Sequence, residues 1–190
     1  MKIGIIDCGG ANLNSIYYSF KRINIKSYIS NSLSELKKMD ALILPGVGTA
    51  GVVMNKLKEN NLINLIQETT KPTLGICIGM QILFDYSEED DTNCLGIIEG
   101  VVKKLKPNKD IKVPQMGWNK VITNVDNIGG YYYFANSYYT DNDDYAVGHS
   151  YYGKKINSIV KKDNFLGCQF HPEKSSNIGE KFIKNFINLV

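Results

Sequence analysis

The sequence predicts an α/β fold: a mostly parallel central sheet flanked by helices, followed by a strand-rich C-terminal half. Two observations carry this. In the first half, continuous apolar runs alternate with stretches of helical spacing. Strands that are apolar on both faces belong in a parallel sheet covered by helices on both sides. From about residue 98 the pattern changes to short strand-like runs split by Gly, Asn and Asp turns.

Taken in order, "KIGIID" reads as a buried strand. Leu13, Ile16, Tyr17, Phe20 and Ile23 then follow helical spacing, with Asn12 as a candidate cap. "SYIS" is a second strand, "SLSELKK" a short helix, and "DALILPG" a third strand stopped by Pro45 and Gly46. Residues 50–68 read as one helical stretch, and "PTLGI" as a fourth strand running into further helix-like sequence. The second half offers "GVVKKLK", "MGWNKVI", "YYYFANSYY", "YAVGHSYY", "INSIVKK" and "FLGCQF" as strands. "GEKFIKNFINLV" closes as an amphipathic helix, with Phe182, Ile183, Phe186, Ile187 and Val190 on one side.

With 190 residues, 43% hydrophobic and 22% charged, the chain is expected to form one domain over residues 1–190 with a full core. A net charge of +3 is too weak to argue for nucleic acid or membrane, and "VKKLKPNKDIK" reads as a solvated strand end and loop. Met1 and Lys2 lead directly into "IGIID", leaving no export signal, and no apolar run is long enough to span a bilayer. The four cysteines, at 8, 77, 94 and 168, have neither metal nor disulfide spacing. Reduced thiols in the cytoplasm are the expectation, with no metal and no cofactor.

Chemistry concentrates at Cys77. It ends an apolar strand with Gly75 two residues before and Gly79 two after, in the order of a nucleophile elbow with Cys in place of Ser. Such a turn exposes the sulfur at a helix start, where free N–H groups favour thiolate. A cysteine alone is as easily a small buried apolar residue, which is how Cys8, Cys94 and Cys168 read. The flanking glycines favour the nucleophile at 77.

A nucleophile of this kind needs a base, and the chain has two histidines. His149 lies inside a strand-like alternation and reads as structural. His171 follows "FLGCQF" at a strand end and is followed by Pro172 and Glu173. In an extended segment residues i and i+2 project to the same side, so Glu173 can orient His171 toward Cys77. The Ile78 N–H, just after the nucleophile, is one candidate oxyanion donor. The glycine-rich "LPGVG" after the third strand is the candidate for the other.

Together, "LGICIGMQILF" and "QFHPEKS" resemble the class I (triad) glutamine amidotransferases, whose fold is flavodoxin-like. "LPGVG", "VPQMGWN", "ANSYY" and "GCQFHPEKS" are similar, in order and over essentially the full length, to the glutaminase subunits of imidazole glycerol phosphate synthases. The resemblance implies hydrolysis of L-glutamine to glutamate and ammonia by Cys77, His171 and Glu173. It further implies Gly46, Val47, Ile78, Gln81, Glu89 and Ser137 around the glutamine. Asn12, Trp118, Tyr133 and Lys174 would lie at or near the interface with a (β/α)8-barrel cyclase, which uses the ammonia to close the imidazole ring in histidine biosynthesis.

Two stretches depart from the family pattern. Asp7-Cys8-Gly9-Gly10-Ala11-Asn12 stands where Asp-Tyr-Gly-x-Gly-Asn is usual, and Asn136-Ser137-Tyr138 where His-Ser-Tyr is usual. Both bear on the partner rather than on the triad. They leave open a paralogue that feeds ammonia to a related barrel for another product, such as an amidino sugar. A stand-alone γ-glutamyl hydrolase would use the same cysteine but leave "VPQMGWN" without a role.

Overall fold

The computed structural model describes residues 1–9, 12–46, 48–109 and 111–188. Val47 and Val190, named above, lie outside them, as do Gly10 and Ala11 of the departing loop.

The first half forms β1 (Lys2–Ile6), α1 (Leu13–Arg22), β2 (Lys26–Ser30), α2 (Leu33–Leu36), β3 (Ala41–Leu44), α3 (Ala50–Glu59), α4 (Ile63–Glu68), β4 (Thr73–Ile76) and α5 (Ile78–Gln81). The second half forms β5 (Tyr86–Ser87), β6 (Thr92–Asn93), β7 (Val101–Lys104), β8 (Gln115–Val121), β9 (Gly130–Asn136), β10 (Tyr138–Tyr139), β11 (Ala146–Tyr151), β12 (Lys155–Lys162), β13 (Phe165–Cys168) and α6 (Ser176–Ile187).

A seven-stranded sheet runs in the order β11-β12-β13-β4-β3-β1-β2. The five strands from β13 to β2 are parallel, and β12 and β11 continue the sheet antiparallel. β3 and β4 are buried at every position, as continuous apolar strands in the middle of a covered sheet must be. Ile16 and Phe20 of α1, Val53 and Leu57 of α3, and Phe182 and Phe186 of α6 all bury into the same core. Each such side chain contributes about 1.5–3 kcal/mol by leaving water. No described helix is long and apolar enough to cross a membrane.

Four departures from the sequence reading have local causes. The helix expected over 50–68 is two helices, because Asn61 turns left-handed (φ 56°) after α3 and the chain folds back to bury Leu62. Asn is among the residues that tolerate that conformation. The helix after Cys77 is a single turn. Ile82, Leu83 and Phe84 are all fully buried, and the Ile82, Leu83 and Phe84 carbonyls accept from the N–H groups of residues 95–98 instead of from a continuing helix. "YYYFANSYY" is two strands: Ser137 bends the chain so that β9 pairs with β8 while β10 joins β7 in a second sheet. The short strands β5 and β6 were not visible in the sequence.

Candidate active site

The site forms where β4 and β13 end side by side. Their register pairs Ile76 with Cys168, and the Cys77 N–H donates to the Cys168 carbonyl at 2.7 Å. Two ligand-facing strand ends thus meet at adjacent positions of a parallel sheet. Cys77 itself sits at φ 54°, ψ −109°, a strained conformation for a residue with a Cβ.

Three glycines permit this turn. A Cβ on Gly75 would lie 2.5 Å from the Gly79 carbonyl oxygen, one on Gly79 1.8 Å from the Leu44 carbonyl oxygen, and one on Gly46 2.2 Å from the Ile78 nitrogen. Gly46 therefore lies flush against the first turn after Cys77. The N–H of Ile78 has no hydrogen-bond acceptor among the described residues.

His171 lies just beyond β13. Its Nδ1 is 2.8 Å from Glu173 Oε1, and Cys77 is close enough to act on its pKa. The sequence argument placed His171 and Glu173 together through extended alternation. The structure does so through a 3-10 turn at Pro172–Lys174. Gly179 of α6 packs so closely under this turn that a Cβ would meet the Pro172 oxygen at 1.9 Å. Ser175 fastens it to β9: its hydroxyl donates to the His171 carbonyl at 2.6 Å and accepts from the Tyr133 N–H at 2.9 Å, while the His171 N–H donates to the Tyr133 carbonyl at 2.8 Å.

Cys77, His171 and Glu173 are all buried, so charge here is weakly screened. Burial acts to lower the His171 pKa, but the hydrogen bonds and charges of Cys77 and Glu173 together outweigh it and raise it from 6.5 to about 10. Three other thiols are raised as well. Burial, then Asp7, raises Cys8 to about 12; burial, then nearby carboxylates, raises Cys94 to about 12; burial raises Cys168 well above the ordinary range. These three stay protonated, in keeping with packing roles.

The residues expected around glutamine fall as follows. Gln81 is buried, and its amide nitrogen donates to the Tyr138 carbonyl at 3.2 Å and to Gln169 Oε1 at 2.9 Å. Its own Oε1 is buried without a partner among the described residues. Glu89 is half-buried and accepts from the Ala50 N–H at 2.9 Å, at the start of α3. Burial is the main cause that raises its pKa. Ser137 is the half-buried bend between β9 and β10.

Of the four residues expected at the partner surface, Trp118 is 53% exposed and packs edge-on against Tyr133, ring centroids 6.4 Å apart, and Lys174 is exposed. Asn12 behaves differently. It makes no side-chain cap on α1, and its Nδ2 donates to Glu173 Oε1. His149 pairs with Asn157 of β12 and with Ile122, and packs edge-on against Tyr151, in keeping with a structural role.

Sequence reasoning missed Gln169. It is fully buried, and its Nε2 lies 3.7 Å from the Cys77 sulfur. The signal was available: Gln169 precedes His171 by two positions, the spacing that puts side chains on one side of an extended segment.

The glutamine amidotransferase class-I family model matches residues 4–189. Imidazole glycerol phosphate synthase subunit HisH 2 of Legionella pneumophila (strain Paris) is 42% identical over 194 aligned positions, covering 98% of each chain. The protein of the same name in Campylobacter jejuni (strain RM1221) is 44% identical over 191 positions, again covering 98% of each. A crystal structure of a glutamine amidotransferase superposes with a TM-score of 0.79 at 17% identity, covering 98% of this chain and 97% of that one, which speaks for the fold alone. Fold, elbow and full-length similarity agree, and the chain belongs to the class-I glutamine amidotransferase family.

Proposed function

We propose that the chain is the glutaminase subunit of an imidazole glycerol phosphate synthase and supplies ammonia to a cyclase partner for histidine biosynthesis. One observation carries the chemistry: a cysteine on a strained elbow faces a buried histidine that a carboxylate holds. The subunit assignment draws on the names of relatives similar over nearly the whole chain.

In this reading His171 takes the thiol proton of Cys77 as the reaction begins. The sulfur attacks the side-chain amide carbon of glutamine, and the C=O electron pair moves onto oxygen. The Ile78 N–H, with Gly46 beside it, receives that oxyanion. Collapse expels the amine, which takes its third hydrogen from His171 and leaves as ammonia. Neutral His171 then removes a proton from water, hydroxide adds to the thioester, and glutamate departs as Cys77 thiolate re-forms. Gln81, Glu89 and Ser137 hold the substrate, the Glu89 carboxylate suiting its α-ammonium.

Ammonia released to water is protonated and loses its nucleophilicity, so direct transfer requires a docked acceptor. The face built by β8 and β9 suits docking. Met116, Trp118 and Tyr131 are 66%, 53% and 60% exposed, and Tyr133 lies beside Trp118. Aromatic anchors of this kind dominate interface energetics. The partner is a (β/α)8 barrel in this reading, and Lys174 lies at its edge. A second reading, a paralogue serving a different barrel synthase, is favoured by one feature. Asn136 is buried opposite Gln115 on β8, and the pair leaves Asn136 Oδ1 and both Gln115 amide atoms unpartnered among the described residues.

Glutamate release, measured with and without the histidine-pathway cyclase and its nucleotide ligand, tests both. Strong stimulation, absent in Cys77→Ala, supports the first reading. No stimulation by a cyclase active with free ammonia overturns it in favour of the second.

A further inference from the structure

A line of hydrogen bonds crosses the floor of the site, and its direction is fixed by one end. The Tyr138 carbonyl can only accept, so the Gln81 atom 3.2 Å from it is the amide nitrogen. That nitrogen has a second hydrogen, directed at Gln169 2.9 Å away, so the Gln169 atom there is oxygen. The Gln169 nitrogen is thereby turned toward Cys77 Sγ, at 3.7 Å. Reversing either amide would set oxygen against oxygen or nitrogen against nitrogen, in a place where Gln81 and Gln169 are 1% and 0% exposed and no solvent relieves the mismatch.

We propose that Gln169 is a positioning residue that donates an N–H to the Cys77 thiolate, and that Gln81 and the Tyr138 carbonyl hold it in that sense. The proposal rests on the reading of Cys77 as the nucleophile. A hydrogen bond to the charged form of a group favours that form. The thiol form has a different partner, the Ala135 carbonyl 3.8 Å from the sulfur, which can take an S–H but repels a thiolate. Gln169 and His171 thus favour the ionised sulfur from one side, against Ala135 on the other. The titratable groups facing Cys77 are His171, Glu173 behind it, and the buried Cys168 thiol. Gln169 adds a donor that does not titrate, so its contribution persists across the working pH range.

The relay also explains why Gln81 keeps its Oε1 free. Both N–H groups of its amide are engaged, and the oxygen is left as the acceptor for an N–H of the substrate. The same side chain then orients the donor to the nucleophile and holds the substrate.

The test is the pH dependence of Cys77 alkylation by iodoacetamide, followed by mass spectrometry of the Cys77 peptide, which needs no turnover. Gln169→Met keeps the side-chain length and removes the donor; Gln81→Met removes the lock. In folded Gln169→Met, the midpoint should rise by about one pH unit, equivalent to about tenfold slower alkylation at the foot of the profile. Gln81→Met should give a smaller rise. Unchanged midpoints in the folded variants overturn the relay. Should Gln169→Met fail to fold, 15N NMR of the wild-type chain decides: the Gln169 side-chain N–H resonances must titrate with the Cys77 midpoint and cease to do so in Cys77→Ala. Resonances that ignore the thiol overturn the proposal. Wild-type Cys77 inert at neutral pH overturns the nucleophile reading and the relay together, whereas reactive Cys77 unaffected by the substitutions overturns the relay alone.

Discussion

Asn12 and Glu173, 161 positions apart in the chain, are joined by a hydrogen bond from Asn12 Nδ2 to Glu173 Oε1. The same oxygen is 2.8 Å from His171 Nδ1. One carboxylate oxygen therefore binds two groups, one from the loop before α1 and one from the triad, while Oε2 is buried without a partner among the described residues. Asn12 is half-buried, so it can join an outer loop to the base of the catalytic set.

Asn12→Ala should lower kcat for glutamine hydrolysis about threefold to thirtyfold with little change in KM, as expected when a carboxylate that orients a histidine loses a donor. Steady-state kinetics checks this. A rise in KM with kcat intact would place Asn12 in substrate binding instead.

Cys77→Ala should abolish glutamate release and leave the fold intact. Cys77→Gly should be more stable than Cys77→Ala by about 1–2 kcal/mol, the reverse of the usual order, because position 77 is held at φ 54°. Urea unfolding of the two variants gives the comparison.

Gly79→Ala should cost more than about 3 kcal/mol or prevent folding. Its Cβ would lie 1.8 Å from the Leu44 oxygen, and both partners are backbone in the middle of the sheet end. Gly9→Ala, at a position where a Cβ meets nothing within 4 Å, should cost far less, limited to its backbone preference at φ 76°. Denaturation midpoints should separate the two clearly.

Stability should fall at the alkaline end. A group whose folded pKa lies above its unfolded one contributes fully below the unfolded value and loses that contribution as pH climbs through the folded value. For His171 these are 6.5 and about 10, and the buried Cys8, Cys94 and Cys168 thiols are raised above their ordinary 9.0. The melting temperature should therefore drop above pH 9, where all four contributions are being lost together. Calorimetric scans across the alkaline range check this, and a level melting temperature there would remove these shifts from the account.

Trp118→Ala should leave the thermal stability of the isolated chain within about 0.5 kcal/mol, because the ring is 53% exposed. It should weaken partner binding by about 2 kcal/mol. Isothermal calorimetry with the cyclase reads the second quantity. Tyr133, Trp118's neighbour, passes its carbonyl to the His171 N–H at 2.8 Å, so contact at this face is one bond from the triad histidine.

The sequence by itself determined the parallel half of the sheet and pointed to a cysteine, a histidine and a glutamate that the fold places close together. "ALIL" and "TLGI" are apolar at every position, which only a strand covered on both faces requires. Gly75 and Gly79 about Cys77 announce a turn that a Cβ would block, and His171 with Glu173 lies close enough in sequence to be read as a pair. Tertiary structure alone decided the rest. Asn12 reads as a helix cap from its neighbours, and only the folded chain brings Glu173 within reach of its amide. "YYYFANSYY" has one alternating pattern, and the bend at Ser137 that splits it is set by where β7 and β8 lie. Glu89 is 39 positions from Ala50, and only the folded chain brings the N–H at the start of α3 to its carboxylate. Gln169 reads as an ordinary polar residue at a strand end, and its direction toward Cys77 is imposed by a carbonyl at Tyr138. The physical reason is the same in each case. Patterns of burial and backbone constraint are local and periodic, so a linear string can carry them, whereas the polarity of a buried hydrogen bond depends on groups that meet only after the chain has folded.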